Sequence, residues 1–161
     1  MRAFYLSALP LVCALSVPAN AQLLNQKAIP AAMAMTIAQV AIDTCKTNGY
    51  AVSVSVVGRS GEVILQVRGD GTGPHTVENS FRKAYTSRTF RQSSGDFAKR
   101  LKDNPQLALI HLTNVIAAQG ALPIMAGEDV IGAVGVSGAP GGEKDEVCAK
   151  AGIDKVAEQL K

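Results

Sequence analysis

Residues 69–76 read Gly-Asp-Gly-Thr-Gly-Pro-His-Thr, a run of turn-forming residues that delivers His75 to the start of a helical pattern. An imidazole so placed can present a ring nitrogen to a metal ion or a haem iron, and glycines let the backbone approach a ligand closely. Cationic side chains stand on both sides of the loop, Arg68 before it and Arg82, Lys83, Arg88 and Arg91 after it. Guanidinium groups bind carboxylates in bidentate geometry, so this set suits a ligand that carries acid groups. The same letters also fit an exposed loop histidine at a helix cap with a solvated basic face behind it. The residues alone leave both readings open.

Other chemistries find less support. There is no HExxH, no CxxCH and no paired-cysteine motif, which removes covalent c-type haem and a closed structural zinc site. The loop glycines follow neither the dinucleotide fingerprint nor the Walker pattern. No serine sits in a nucleophile elbow and no Ser, His and Asp arrangement suggests itself, so no catalytic residue is assigned. His111, between Ile110 and Leu112, reads as a core or interface histidine and a weaker second ligand. Met33, Met35 and Met125 can ligate haem through sulfur, yet methionine at helix or strand spacing is more often packing material. A net charge of +3, no tryptophan and an aromatic content of 4% argue against a nucleic-acid surface.

The compartment is expected from the first residues. Arg2, an apolar run over residues 6–17 and the small residues Ala19 and Ala21 form the pattern of a secretory signal peptide, residues 1–21, cleaved near Ala21-Gln22. The apolar run is too short to span a bilayer comfortably, and Val12 before Cys13 disfavours a lipid anchor. The expected mature protein, residues 22–161, is one periplasmic or secreted domain without stable membrane insertion. Cys45 and Cys148 remain after cleavage, and an oxidising compartment permits a disulfide between them. Two buried thiols are the alternative.

The elements that must position His75 follow from periodicity. Ile29, Met33, Ile37, Val40 and Ala41 recur at helical spacing, which predicts a helix over residues 26–47 ended by Asn48-Gly49. Residues 50–57 alternate strictly and residues 62–68 answer them across Gly58-Arg59-Ser60-Gly61, an antiparallel hairpin. Next comes a helix that Thr76 could cap, with Val77, Phe81, Ala84, Tyr85 and Arg88 on one face and Arg82, Lys83 and Arg91 mostly on the other. A short helix over residues 96–102 and an ambiguous apolar run, 107–118, lead to a second hairpin, 122–136. A last helix, 143–160, is expected to bury Val147, Ala151, Val156 and Leu160. The order helix-hairpin-helices-hairpin-helix predicts an α+β domain, an antiparallel sheet of about five strands flanked by helices.

Several motifs carry a resemblance. Arg68, Asp70 and Gly71 form an R-x-D-G loop, residues 80–86 read Ser-Phe-Arg-Lys-Ala-Tyr-Thr, and Pro123-Ile124 precedes Ile-Gly-Ala-Val-Gly-Val-Ser-Gly at 131–138. Acidic Glu143, Asp145 and Glu146 and then Ala149, Ala151 and Gly152 complete the pattern. So arranged, the chain resembles the GlcG/HbpS family of small haem-binding proteins, related to the C-terminal domain of PduO-type proteins. It departs at Gly58, where the family carries an aspartate, and at Gln119-Gly120-Ala121, where the family has a glycine run. The resemblance implies an α+β subunit that assembles into dimers or larger rings and binds haem, in some members linked to haem breakdown or redox sensing. The resulting expectation is an exported protein that binds haem b non-covalently. His75 is its axial metal ligand, and Arg68, Arg82, Lys83 and Tyr85 are further cofactor contacts. A protein partner in the periplasm or outside the cell is allowed. The alternatives are a haem-dependent or haem-degrading oxidoreductase and an apo structural or sensory oligomer subunit.

Overall fold

Pro30 fixes the start of the first helix, because proline cannot supply an internal helix donor and is tolerated at such a boundary. Helix α1 therefore runs Ala31–Thr47, five residues shorter at its start than the periodicity predicted, and Gly49 at φ +82° turns the chain away. The structure is a computed structural model that describes residues 22–161, so the expected signal peptide lies outside the described residues. Strands β1 (Ser53–Val57) and β2 (Val63–Val67) form the first hairpin, and helices α2 (His75–Phe90) and α3 (Ser94–Asp103) follow. After one 3-10 turn, Ala108–His111, strands β3 (Ala121–Ala126) and β4 (Asp129–Ser137) form the second hairpin. Helix α4 (Gly142–Lys155) and a 3-10 turn, Ala157–Gln159, end the chain.

The sheet has the order β2-β1-β4-β3 with every pair antiparallel. It holds four strands where about five were expected. The ambiguous run 107–118 becomes a 3-10 turn and irregular chain, whose Val115 buries beside Phe97 and Leu101 of α3. Each inner strand is covered on both faces. Val54, Val56, Val134 and Val136 pack with Ile37 and Ala41 of α1 and Cys148 and Ala149 of α4. A disulfide joins Cys45 of α1 to Cys148 of α4, with 5.6 Å between Cα atoms.

The alternation of β1 predicted one core face and one more polar face, and the polar face is buried too. Ser53 and Ser55 are 0% exposed because α2 lies over them. Hydroxyls make that interface: Ser53 Oγ lies 2.8 Å from Thr76 Oγ1, and Ser55 Oγ lies 2.8 Å from Ser80 Oγ. Gln66 Nε2 donates to Ser55 Oγ at 2.8 Å, so the buried polar groups find partners. The helix can come this close because Gly135 has no side chain. A Cβ there would stand 2.2 Å from Ser80 O and 2.7 Å from Ala84 N. The buried face of α2 thus carries Thr76, Ser80, Lys83, Ala84 and Ser87, with only Ala84 in common with the predicted apolar stripe. Likewise α4 buries Asp145, Cys148, Ala149 and Gly152 and leaves Val147 58% exposed, against the expected inner face, whereas Val156 and Leu160 beyond its end are buried as expected. Gly152 sets that rotation, since a Cβ there would meet Ile37 O at 2.5 Å.

Candidate functional site

The loop at 69–76 is pinned to the sheet before it reaches His75. Gly69 passes so close to β1 that a Cβ would lie 2.1 Å from Val52 O, and Gly71 adopts φ +75°. Arg68 Nη2 donates to Thr72 O at 2.9 Å, Thr72 Oγ1 donates to Gly69 O at 2.9 Å, and Thr76 Oγ1 donates to Gly73 O at 2.8 Å. These bonds give a glycine-rich segment a single path. His75 is then the first residue of α2 and exposed, and the residue before it, Pro74, is an N-cap without a side-chain hydrogen bond. The imidazole lies in the space that Gly73 leaves: a Cβ on Gly73 would be 2.9 Å from Cε1 and 3.1 Å from Nδ1. Nε2 is the ring nitrogen farther from that backbone.

Two shallow clefts meet at His75. One, of about 350 Å³, has a wall of Gly49, Tyr50, Ala51, Gly71, Gly73 and Gly138. The other, of about 250 Å³, is a groove along α2 lined by His75, Glu78, Asn79 and Arg82. Arg82 stands seven residues after His75, two turns along the same helix face, a rise of about 10 Å. Its guanidinium donates to Val115 O at 2.8 Å and lies 3.7 Å from Glu78, which holds it at the groove. Beyond the glycine wall, Lys144 stands 5.4 Å from the Tyr50 ring centre, an aromatic contact that draws the start of α4 to this end.

The structure thus lines one groove with His75 and Arg82 and ties Arg68 to the backbone of the loop before it, but Lys83 and Tyr85 lie elsewhere. Lys83 is 4% exposed rather than on an outer helix face. Its ammonium donates to Asp145 Oδ2 at 2.8 Å and to Val136 O at 3.1 Å, and Asp145 Oδ1 accepts from Ala139 N at 3.0 Å. Gly120, at φ +134°, closes over the pair: a Cβ there would be 2.6 Å from Lys83 Nζ. Burial raises the Asp145 pKa above its ordinary value, against the Lys83 hydrogen bond and charge and the Ala139 N–H, which lower it. Tyr85 packs beside Phe81, with ring centres 5.9 Å apart, and against Gly61 at the opposite end of the sheet from the loop. His111 is exposed in its 3-10 turn rather than in a core. Met33 packs against the main core, whereas Met35 and Met125 are 58% and 38% exposed.

Glu78, Asn79 and Tyr50 were not singled out from the sequence. The first two stand one turn after His75 on its helix, a signal that spacing could have supplied; Tyr50 comes to the cleft only through folding. Among the described residues no group of three or more His, Cys, Asp or Glu could hold a bare metal ion. A lone imidazole suits a group that brings its own equatorial ligands, and the nearby guanidiniums suit its acid groups.

The family model described as "Haem degrading protein HbpS-like" matches residues 29–154. A double mutant of HbpS from Streptomyces reticuli superposes with a TM-score of 0.80 at 30% identity, covering 89% of this chain and 99% of that one. An uncharacterised 15.0 kDa protein from the dhaT-dhaS intergenic region of Citrobacter freundii is 33% identical over 107 residues, 65% of this chain and 75% of that protein. The PduOC:heme complex shares the fold, with a TM-score of 0.71 at 21% identity over 78% of this chain and 93% of that one.

Proposed function

Because the chain belongs to the HbpS-like family, we propose that it is an exported protein that binds haem non-covalently, with His75 Nε2 as the axial ligand. Arg82 and Arg68 are the cationic groups assigned to the propionates. The observation that carries this reading is the groove itself: an exposed imidazole seated on Gly73, with Arg82 two turns along the same helix face. Bound haem would supply a redox-active iron. The chain's own contribution is to orient the imidazole, through the hydrogen-bonded loop and Gly73, and to place positive charge opposite the acid groups. Lys83 and Tyr85 leave the set, Lys83 because Asp145 holds it and Tyr85 because it packs elsewhere.

The groove is open, so it covers only one side of a flat macrocycle. A second copy of the chain is the cover we assign, in line with a homo-oligomer. Export is supported by the signal-like N-terminus and by the Cys45–Cys148 disulfide, a bond that persists in oxidising compartments. Haemin titration tests the ligand. His75→Ala is expected to shift the Soret band and weaken binding at least tenfold, and Arg82→Gln to weaken binding several-fold with the band unmoved. An unchanged spectrum and affinity in His75→Ala would remove His75 as ligand. Product analysis with haem, reductant and oxygen separates binding from the alternative, oxidative haem degradation.

A further inference from the structure

The imidazole of His75 rests on a peptide that the sheet holds from below. Gly73 O accepts twice, from Thr76 N at 3.1 Å and from Thr76 Oγ1 at 2.8 Å, which fixes the Gly73 peptide at the start of α2. The ring occupies the face of Gly73 where a side chain would stand, since a Cβ there would be 2.9 Å from His75 Cε1. Thr76 is 2% exposed, and Ser53 Oγ of β1, equally dry, lies 2.8 Å from its hydroxyl. Ser53, Thr76, Gly73 and the imidazole thus form one line of contact.

Proton counting gives that line a direction, because each hydroxyl carries a single proton. Thr76 Oγ1 gives its own to Gly73 O, and Thr72 Oγ1 gives its own to Gly69 O at 2.9 Å. The proton between Ser53 and either threonine must therefore come from Ser53. It has two acceptors to choose from, Thr76 Oγ1 at 2.8 Å and Thr72 Oγ1 at 3.3 Å, and the shorter contact takes it. The neighbouring hydroxyls close without such a choice: Gln66 Nε2 donates to Ser55 Oγ, Ser55 donates to Ser80 Oγ at 2.8 Å, and Ser80 donates to Val77 O. That second set seats the body of α2 and makes no bond to Gly73.

We propose that Ser53 and Thr76 are positioning residues for the His75 imidazole: Ser53 fixes the Thr76 hydroxyl, which fixes the Gly73 peptide that supports the ring. Both hydroxyls are buried between β1 and α2, where packing and hydrogen bonds hold a side chain in one rotamer. A histidine ligand needs its ring orientation held, and here the hold comes through the backbone beneath it. The consequence for haem rests on the reading of His75 as ligand. The ring geometry of the free protein does not.

The first readout therefore uses the protein without haem. A nuclear Overhauser contact between His75 Hε1 and Gly73 Hα is expected in the wild type and in Thr76→Ser, which keeps the hydroxyl. It is expected to fade in Thr76→Val and in Ser53→Ala, each of which removes one hydroxyl but leaves the Thr76 N bond that starts α2. Ser55→Ala takes away a bond of the same kind and must leave the contact in place. Haemin titration is the second readout: Thr76→Val should lower affinity by about tenfold or more and move the Soret band, with Thr76→Ser restoring both. Ser53→Ala acts in the same direction and decides the matter if Thr76→Val does not fold. The proposal is overturned if the contact survives both substitutions, or if Ser55→Ala abolishes it as well, which would mark a general loosening of α2. If the contact fades as expected while every variant, His75→Ala included, binds haemin like the wild type, the positioning stands and His75 falls as ligand.

Discussion

At the scale of single residues, one histidine and one buried ion pair have different jobs although both lie on α2. His75 was legible because turn residues stop abruptly at a helical pattern, a local signal. Lys83 was misread because its partner, Asp145, is 62 positions away and no spacing rule links them. Both side chains are nearly dry, 5% and 3% exposed, so breaking the pair leaves one uncompensated charge. Lys83→Met is expected to cost about 3–5 kcal/mol in urea unfolding, and Lys83→Met/Asp145→Leu clearly less than the two single changes summed. The pH dependence follows from the raised Asp145 pKa. Between the ordinary value of 3.8 and the raised one the folded state holds more protons than the unfolded, so stability falls as pH rises through that window. The stability difference between wild type and Asp145→Asn should therefore shrink with rising pH there. A difference that grows instead would mean that the Lys83 pairing outweighs burial.

Elements are fixed by what their backbones must approach. Helix α2 sits on the sheet through hydroxyls and through the missing side chain of Gly135, so Gly135→Ala forces a methyl against Ser80 O and Ala84 N. Such overpacking against backbone is expected to cost about 3 kcal/mol, at the upper end of its usual range, with a lower thermal midpoint and loss of the α2 register. Glycines in the second hairpin were legible as close-approach devices from the interrupted apolar run, whereas which helix they admit was not. The α1–α4 layer has its own tie. The Cys45–Cys148 bond closes a separation of 103 residues, and removing a constraint of that size costs about 2–5 kcal/mol. Cys45→Ser/Cys148→Ser, or the reduced wild type, is expected to show that loss as a lower urea midpoint; an unchanged midpoint would deny the bond a stabilising part.

For the whole molecule, two helical layers enclose a four-stranded sheet, and that arrangement leaves the His75 loop at one end and Tyr85, packed on the Gly61 turn, at the other. If the protein is exported as proposed, mass spectrometry of the chain recovered from its host should find Gln22 as the first residue and no free thiol at Cys45 or Cys148. A retained N-terminus with two alkylatable thiols would contradict export. The sequence by itself determined the α+β class, the two hairpins, the helices between them and the loop that carries His75. Period-two and helical patterns and turn residues are written within short windows, and the family motifs add to them. Only the tertiary structure decided which faces are buried, because β1 is covered on both sides and α2 and α4 turn to suit glycines and partners far along the chain. It also divided one stretch of basic residues among a groove, a buried ion pair and the far end of α2. Helical rise and long-range pairing set those places, and neither is encoded in the spacing of charges along the chain.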